Sequence, residues 1–153
     1  MIDDLDRKII YIIQSDGRIA NAKIARTVGK APSVVLERIR KLEAKGVIKG
    51  YEPVLDPKSL GLMLTTFIQV RTEEAVGGTD TGRKLAELPE VQEVHHTAGH
   101  FCYLLKVRVR DTEHLGDLLR RFGQIEQVSD TMTTLVLETL KESHSLSFDT
   151  PNT

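Results

Sequence analysis

The 153-residue chain is 40% hydrophobic and 28% charged with a formal net charge of −1, a balance that fits a folded globular protein and excludes a disordered or fibrous one. No run of about 18 apolar residues is available to span a bilayer, and the acidic start Met1-Ile2-Asp3-Asp4 lacks the layout of a signal peptide. The lone cysteine, Cys102, has no intrachain partner for a disulfide, so the expectation is a cytoplasmic protein.

The small net charge hides an asymmetry. Residues 1–50 carry eleven Lys and Arg against six Asp and Glu, a net of +5, and the remainder carries ten against sixteen, a net of −6. A basic unit joined to an acidic one is the pattern expected when one half meets phosphate and the other does not.

Leu5, Ile9, Ile12 and Ile13 recur at helical spacing and predict a first helix over about Asp4 to Ser15, capped by Asp3 or Asp4. Gly17 is expected to end it in the left-handed conformation. Asn21 reads as the N-cap of a short second helix that turns Ile24, Ala25 and Val28 inward and stops at Gly29. Pro32 opens a third helix that continues to about Lys45, before Gly46. A short helix, a tight turn and a longer helix make the pattern of a helix-turn-helix.

The third helix points to DNA. Val35, Leu36, Ile39 and Leu42 share one face, while Ser33, Val34, Glu37 and Lys41 occupy the opposite arc between Arg38 and Arg40. An apolar inner face behind a short polar outer face suits the major groove of double-stranded DNA. Ser33, Val34 and Glu37 are placed to reach base edges, and Arg38, Arg40 and Lys41 to reach phosphate or guanine.

Val47 to Leu55 reads as an extended linker, with Asp56-Pro57 and Gly61 marking a turn. Beyond it, strand and helix periods alternate. Leu62–Thr72 reads as a strand and Thr81–Leu88 as a short helix. Val91–Thr97 and Phe101–Val109 read as two strands joined by Ala98-Gly99-His100. Leu115, Leu118, Leu119 and Phe122 predict a helix capped by Asp111 or Thr112, and Gln127–Thr139 a last strand. The β-α-β-β-α-β order implies a ferredoxin-like sheet with its helices on one face. The fold class is therefore α+β, with a helix-turn-helix domain over 1–50, a linker strand and turn over 51–61, and a ferredoxin-like domain over 62–142. The polar tail 143–153 is expected to be loose.

Several segments in this order resemble the leucine-responsive and asparagine regulator (Lrp/AsnC, feast/famine) family. They are Leu5-Asp6-Arg7-Lys8-Ile9-Ile10, Asp16-Gly17-Arg18, Leu36-Glu37-Arg38-Ile39-Arg40-Lys41-Leu42-Glu43, Gly46-Val47-Ile48-Lys49-Gly50-Tyr51 and Gly99-His100-Phe101-Cys102-Tyr103-Leu104-Leu105. The resemblance implies a sequence-specific transcription regulator, not an enzyme. Its C-terminal sheets would pair into dimers, with octamers a further step, and it would read paired half-sites. It further implies a small effector, commonly an amino acid, held at Thr97, Ala98, Gly99, His100 and Cys102 with contributions from Thr131, Thr133 and Thr134, and no other cofactor. The sequence departs from the family twice. His100 and Cys102 stand where the family often has acids flanking the aromatic, and Ala31 stands where it usually has a serine cap. An ammonium group in a partly buried site needs oxygen acceptors to offset its desolvation.

Two other readings belong to different classes. A DNA-architectural protein without an effector would show weak sequence preference and steep salt dependence. Enzymes sharing the two-domain layout would have Cys102 and a nearby histidine as their only nucleophile and base. His95, His96, His100 and Cys102 lie close in sequence, but adjacent strand residues point to opposite faces, which disfavours a metal site.

Overall fold

The computed structural model describes residues 2–149. They cluster into two units, one made of the chain up to Val54 together with the segment from Lys141 on, the other spanning Leu55–Leu140.

In the first unit, helix α1 (Asp4–Ser15) begins in a reciprocal cap: the Asp3 carboxylate accepts from the Asp6 amide (2.9 Å) and the Asp6 carboxylate from the Asp3 amide (3.2 Å). It ends at Asp16 in an extended conformation. Gly17 has no positive φ, so the expected left-handed terminator is absent. What Gly17 provides is space, since a Cβ there would meet the Tyr51 ring at 3.6 Å. Helix α2 (Asn21–Val28) is preceded by Ala20, with no side-chain cap. Asn21 is its first helical residue and not the N-cap expected from sequence. Gly29 closes it at φ 66°, a conformation that costs a glycine little. Helix α3 (Pro32–Ala44) starts on Pro32, and its cap residue Ala31 offers no side-chain bond. Ile9, Ile24, Ala25, Val35 and Ile39 form the core of the three helices, with Ile12, Ile13, Val28 and Ile48 packed on it.

The linker has no strand. Residues 51–56 carry no regular structure, and a single 3-10 turn covers Lys58–Leu60. Three hydrogen bonds from Ser59 and the Lys58 amide to the Asp56 carboxylate hold that turn, and no neighbouring strand offers a ladder.

The second unit is a four-stranded antiparallel sheet in the order β2-β3-β1-β4, built from β1 (Leu64–Thr72), β2 (Val91–His96), β3 (Tyr103–Val109) and β4 (Val128–Leu135). Helices α4 (Asp80–Ala86) and α5 (Thr112–Gly123) cover one face. Ile68, Val70, Tyr103, Leu105, Val107 and Val109 meet Leu85, Leu118 and Phe122 there. This is the ferredoxin-like βαββαβ arrangement expected from the alternation. Lys106 and Arg108 are each only 9% exposed on the opposite, open face. Lys106 reaches Glu93 (3.4 Å), and Arg108 donates to Gln92 (2.6 Å) and Thr65 (2.9 Å). Buried charge is tolerated here because it is paired and hydrogen-bonded.

The tail is not free. Gln14 donates to the Leu146 carbonyl (2.9 Å) and accepts from the Leu146 amide (3.1 Å), while Arg7 donates to the Asp149 carbonyl (3.2 Å). The segment lacks regular structure, yet α1 holds it.

Candidate DNA interface and effector groove

Helix α3 is set by its buried side. Val35 and Leu42 are almost wholly inaccessible, and Ile39 nearly so, which fixes the rotation of the helix and leaves Ser33, Val34, Glu37, Arg40 and Lys41 exposed. These five share the accessible arc, as their spacing requires. Outside this arc, near the C-terminal end of α3, Glu43 is engaged by Tyr51, whose hydroxyl donates to it at 3.1 Å. Burial and then that carboxylate push the Tyr51 hydroxyl up from its ordinary value.

Arg38 behaves differently. It is half-buried, and its guanidinium donates to both Asp3 and Asp6, the latter at 3.2 Å. The Asp6 amide and then Arg38 hold the Asp3 carboxyl below the usual carboxylate range, and Asp3 in turn raises Arg38. One guanidinium thus ties the capped start of α1 to the middle of α3. The acids that cap the first helix also neutralise the arginine that sequence spacing places beside the groove-facing arc.

In the second unit the loop from β2 to β3 frames a groove of about 370 Å³, lined by Gln69, Thr97, Ala98, Gly99, His100, Phe101 and Leu104. Thr97 closes the loop, its amide donating to the Cys102 carbonyl (2.8 Å) and its hydroxyl to the Phe101 carbonyl (2.9 Å). Gly99 sits at φ 133°, a region that side chains strongly disfavour. Among the described residues, the amides of Ala98, Gly99, His100 and Phe101 donate to no protein acceptor.

The structure brings Thr97, Ala98, Gly99 and His100 together, but not the rest of the expected set. Cys102 donates its amide to the Val70 carbonyl (2.9 Å) and packs on the helix-covered core. On β4, Thr131 and Thr133 pair with Val70 and Ile68 and so lie on the helix-covered face, whereas Thr134 pairs with Phe67 on the open face. None of the three lines the groove. Sequence reasoning missed Gln69, Phe101 and Leu104. Phe101 lay inside the quoted motif, but only the β1–β3 register, with Gln69 opposite Leu104, brings the other two to it. Among the described residues, no three His, Cys, Asp or Glu side chains gather closely enough to hold a metal ion.

A helix-turn-helix with an exposed polar arc, joined to a ferredoxin-like sheet, is the architecture of a DNA-binding transcription regulator. Residues 2–49 match the family model described as winged helix-turn-helix DNA-binding, and residues 65–146 the one described as Lrp/AsnC ligand binding domain. The chain is 38% identical over 145 residues to the HTH-type transcriptional regulator FL11 of Pyrococcus horikoshii, covering 95% of each. It is 37% identical to the leucine-responsive regulatory protein of Escherichia coli K12, over 95% of this chain and 90% of the relative. A solved feast or famine regulatory protein from M. tuberculosis, complexed with L-methionine, superposes with a TM-score of 0.89 at 30% identity, over 99% of this chain and all of the other. The chain belongs to the Lrp/AsnC family of DNA-binding transcription regulators. No helix among the described residues is long and apolar enough to cross a membrane.

Proposed function

We propose that this chain regulates transcription in the cytoplasm as a dimer or larger assembly, by laying α3 in the major groove of paired half-sites and adjusting that binding to a small metabolite. Residues 1–50 would carry DNA recognition and 62–142 the effector and assembly. The observation that carries this reading is the outward arc of Ser33, Val34, Glu37, Arg40 and Lys41 on a helix whose rotation the core fixes. Ser33, Val34 and Glu37 are assigned to base edges, Arg40 and Lys41 to phosphate or guanine. Arg38, engaged by Asp3 and Asp6, is assigned to orienting α3.

The effector reading rests on the groove at Thr97–Phe101 and on the relative solved with L-methionine. An amino acid or a close chemical kin would place its polar end on the loop amides and its side chain on Phe101 and Leu104. The test is titration of the purified protein onto its own promoter region at fixed salt, with and without each candidate metabolite. Specific binding shifted by one metabolite supports the reading, and absence of specific DNA binding defeats it.

A further inference from the structure

We propose that Glu37 reads cytosine: its carboxylate accepts a hydrogen bond from a cytosine amino group in the major groove, so that the operator carries this base at one fixed position wherever α3 docks. This rests on the assignment of Glu37 to base edges above and narrows it to one base.

Five charged side chains lie on α3, and the structure divides them. Arg38 is taken by Asp3 and Asp6, and Glu43 by the Tyr51 hydroxyl. Glu37, Arg40 and Lys41 are exposed, and among the described residues their side chains form no hydrogen bond or ion pair. Glu37 is therefore the only acid of α3 left without a partner among the described residues. Arg40 and Lys41 stand three and four residues on, at the spacing where helical ion pairs form, yet neither engages it. Glu37 also sits in the N-terminal half of the helix, the part that meets base edges when such a helix docks.

A free carboxylate at this place is unfavourable on most DNA. The phosphates repel it, and it gives up water on entering the groove. Only a base that donates can offset that cost. In the major groove guanine presents N7 and O6 and thymine presents O4, all of them acceptors that a carboxylate avoids. Adenine donates through its N6 amino group but sets the N7 acceptor beside it. Cytosine donates through its N4 amino group with no acceptor on its own edge. The bond formed there is charge-assisted and so stronger than a neutral one. Arg40 and Lys41 meanwhile keep the exposed arc net positive, so the helix still attracts DNA while Glu37 penalises the wrong base.

The test is parallel selection from a pool of random-sequence duplexes by the full-length parent, Glu37→Ala and Glu37→Gln, with sequencing of the bound fraction and thermal melts of all three. The expected parent motif contains a cytosine that is lost from the Glu37→Ala motif while the other positions persist. In Glu37→Gln the same position turns toward adenine, whose N6 and N7 a glutamine amide can engage together. On defined duplexes measured by fluorescence anisotropy, replacing that cytosine costs the parent about tenfold and Glu37→Ala nothing. A motif unchanged in Glu37→Ala, or one that changes at a position where the parent holds another base, overturns the inference and leaves sequence-specific DNA binding standing. A parent pool that yields no motif at all overturns the DNA-recognition reading itself, and the inference with it.

Discussion

A Cβ placed on Gly82 would fall 2.4 Å from Cε1 of Tyr103, so this buried ring lies against the bare backbone of α4. Tyr103 is held there from its other end, its hydroxyl donating to Glu74 (2.8 Å) and to the Gly78 carbonyl (3.2 Å). Glu74 also accepts from the Thr81 amide (2.8 Å) near the start of α4. Burial, followed by that carboxylate, pushes the Tyr103 hydroxyl up to about 12. Gly82→Ala should therefore destabilise the protein, although alanine is the better helix former by about 1 kcal/mol. Overpacking at a rigid ring costs about 1–3 kcal/mol, and the net loss is expected as a lower midpoint in urea unfolding.

The roles assigned along α3 separate by experiment. Arg40→Ala and Lys41→Ala should each weaken operator binding about tenfold and lower the slope of log affinity against log salt by about 0.9, with the unfolding midpoint unchanged. Arg38→Ala should do the reverse, lowering the midpoint while leaving the salt slope close to that of the parent. Fluorescence anisotropy at three salt concentrations, with a thermal melt of each variant, checks both halves.

Acid should loosen the junction between α4, β2 and α5 through one residue. Burial alone would raise the Glu90 carboxyl, but hydrogen bonds from His114 (3.0 Å) and Arg121 outweigh it and hold Glu90 at about 2. A folded value below the unfolded one means stability that is present above about pH 4.5 and is lost as pH falls toward 2. Glu90→Gln should melt below the parent at pH 7, and the gap between them should close between pH 4.5 and 2.5. A gap that stays constant over that range in thermal melts would count against this network.

The tail gives a fourth expectation. Gln14→Ala removes both bonds to Leu146, so limited proteolysis should clip the segment 141–149 faster in the variant while the three-helix core resists as before. Equal cleavage rates would mean that Gln14 does not hold the tail.

Much of this was legible in sequence, for physical reasons that differ by element. The α3 face followed from Val35, Leu36, Ile39 and Leu42, because the 3.6-residue period forces side chains at that spacing to one side. The strands of the second unit followed from the alternation of strand and helix periods and from the cap at Asp111. Pairings across long stretches of chain were hidden. Arg38 finds its acids 32 and 35 residues away, and nothing in the local pattern distinguishes an arginine bound for phosphate from one bound for a carboxylate. Asn21 misled because a good capping residue one position late looks the same as one in place. The faces taken by the β4 threonines were hidden too: a strand's period assigns its residues to two faces, but only the register with β1 says which face is which.

The chain crosses between its two units twice, after Val54 and again before Lys141. That connectivity bears on domain exchange with relatives. A chimera joined only near residue 54 would give a foreign α1 to a native tail and replace the helix whose Gln14 holds Leu146. Transplanting the recognition unit intact requires two splice points, with the last segment travelling alongside the first.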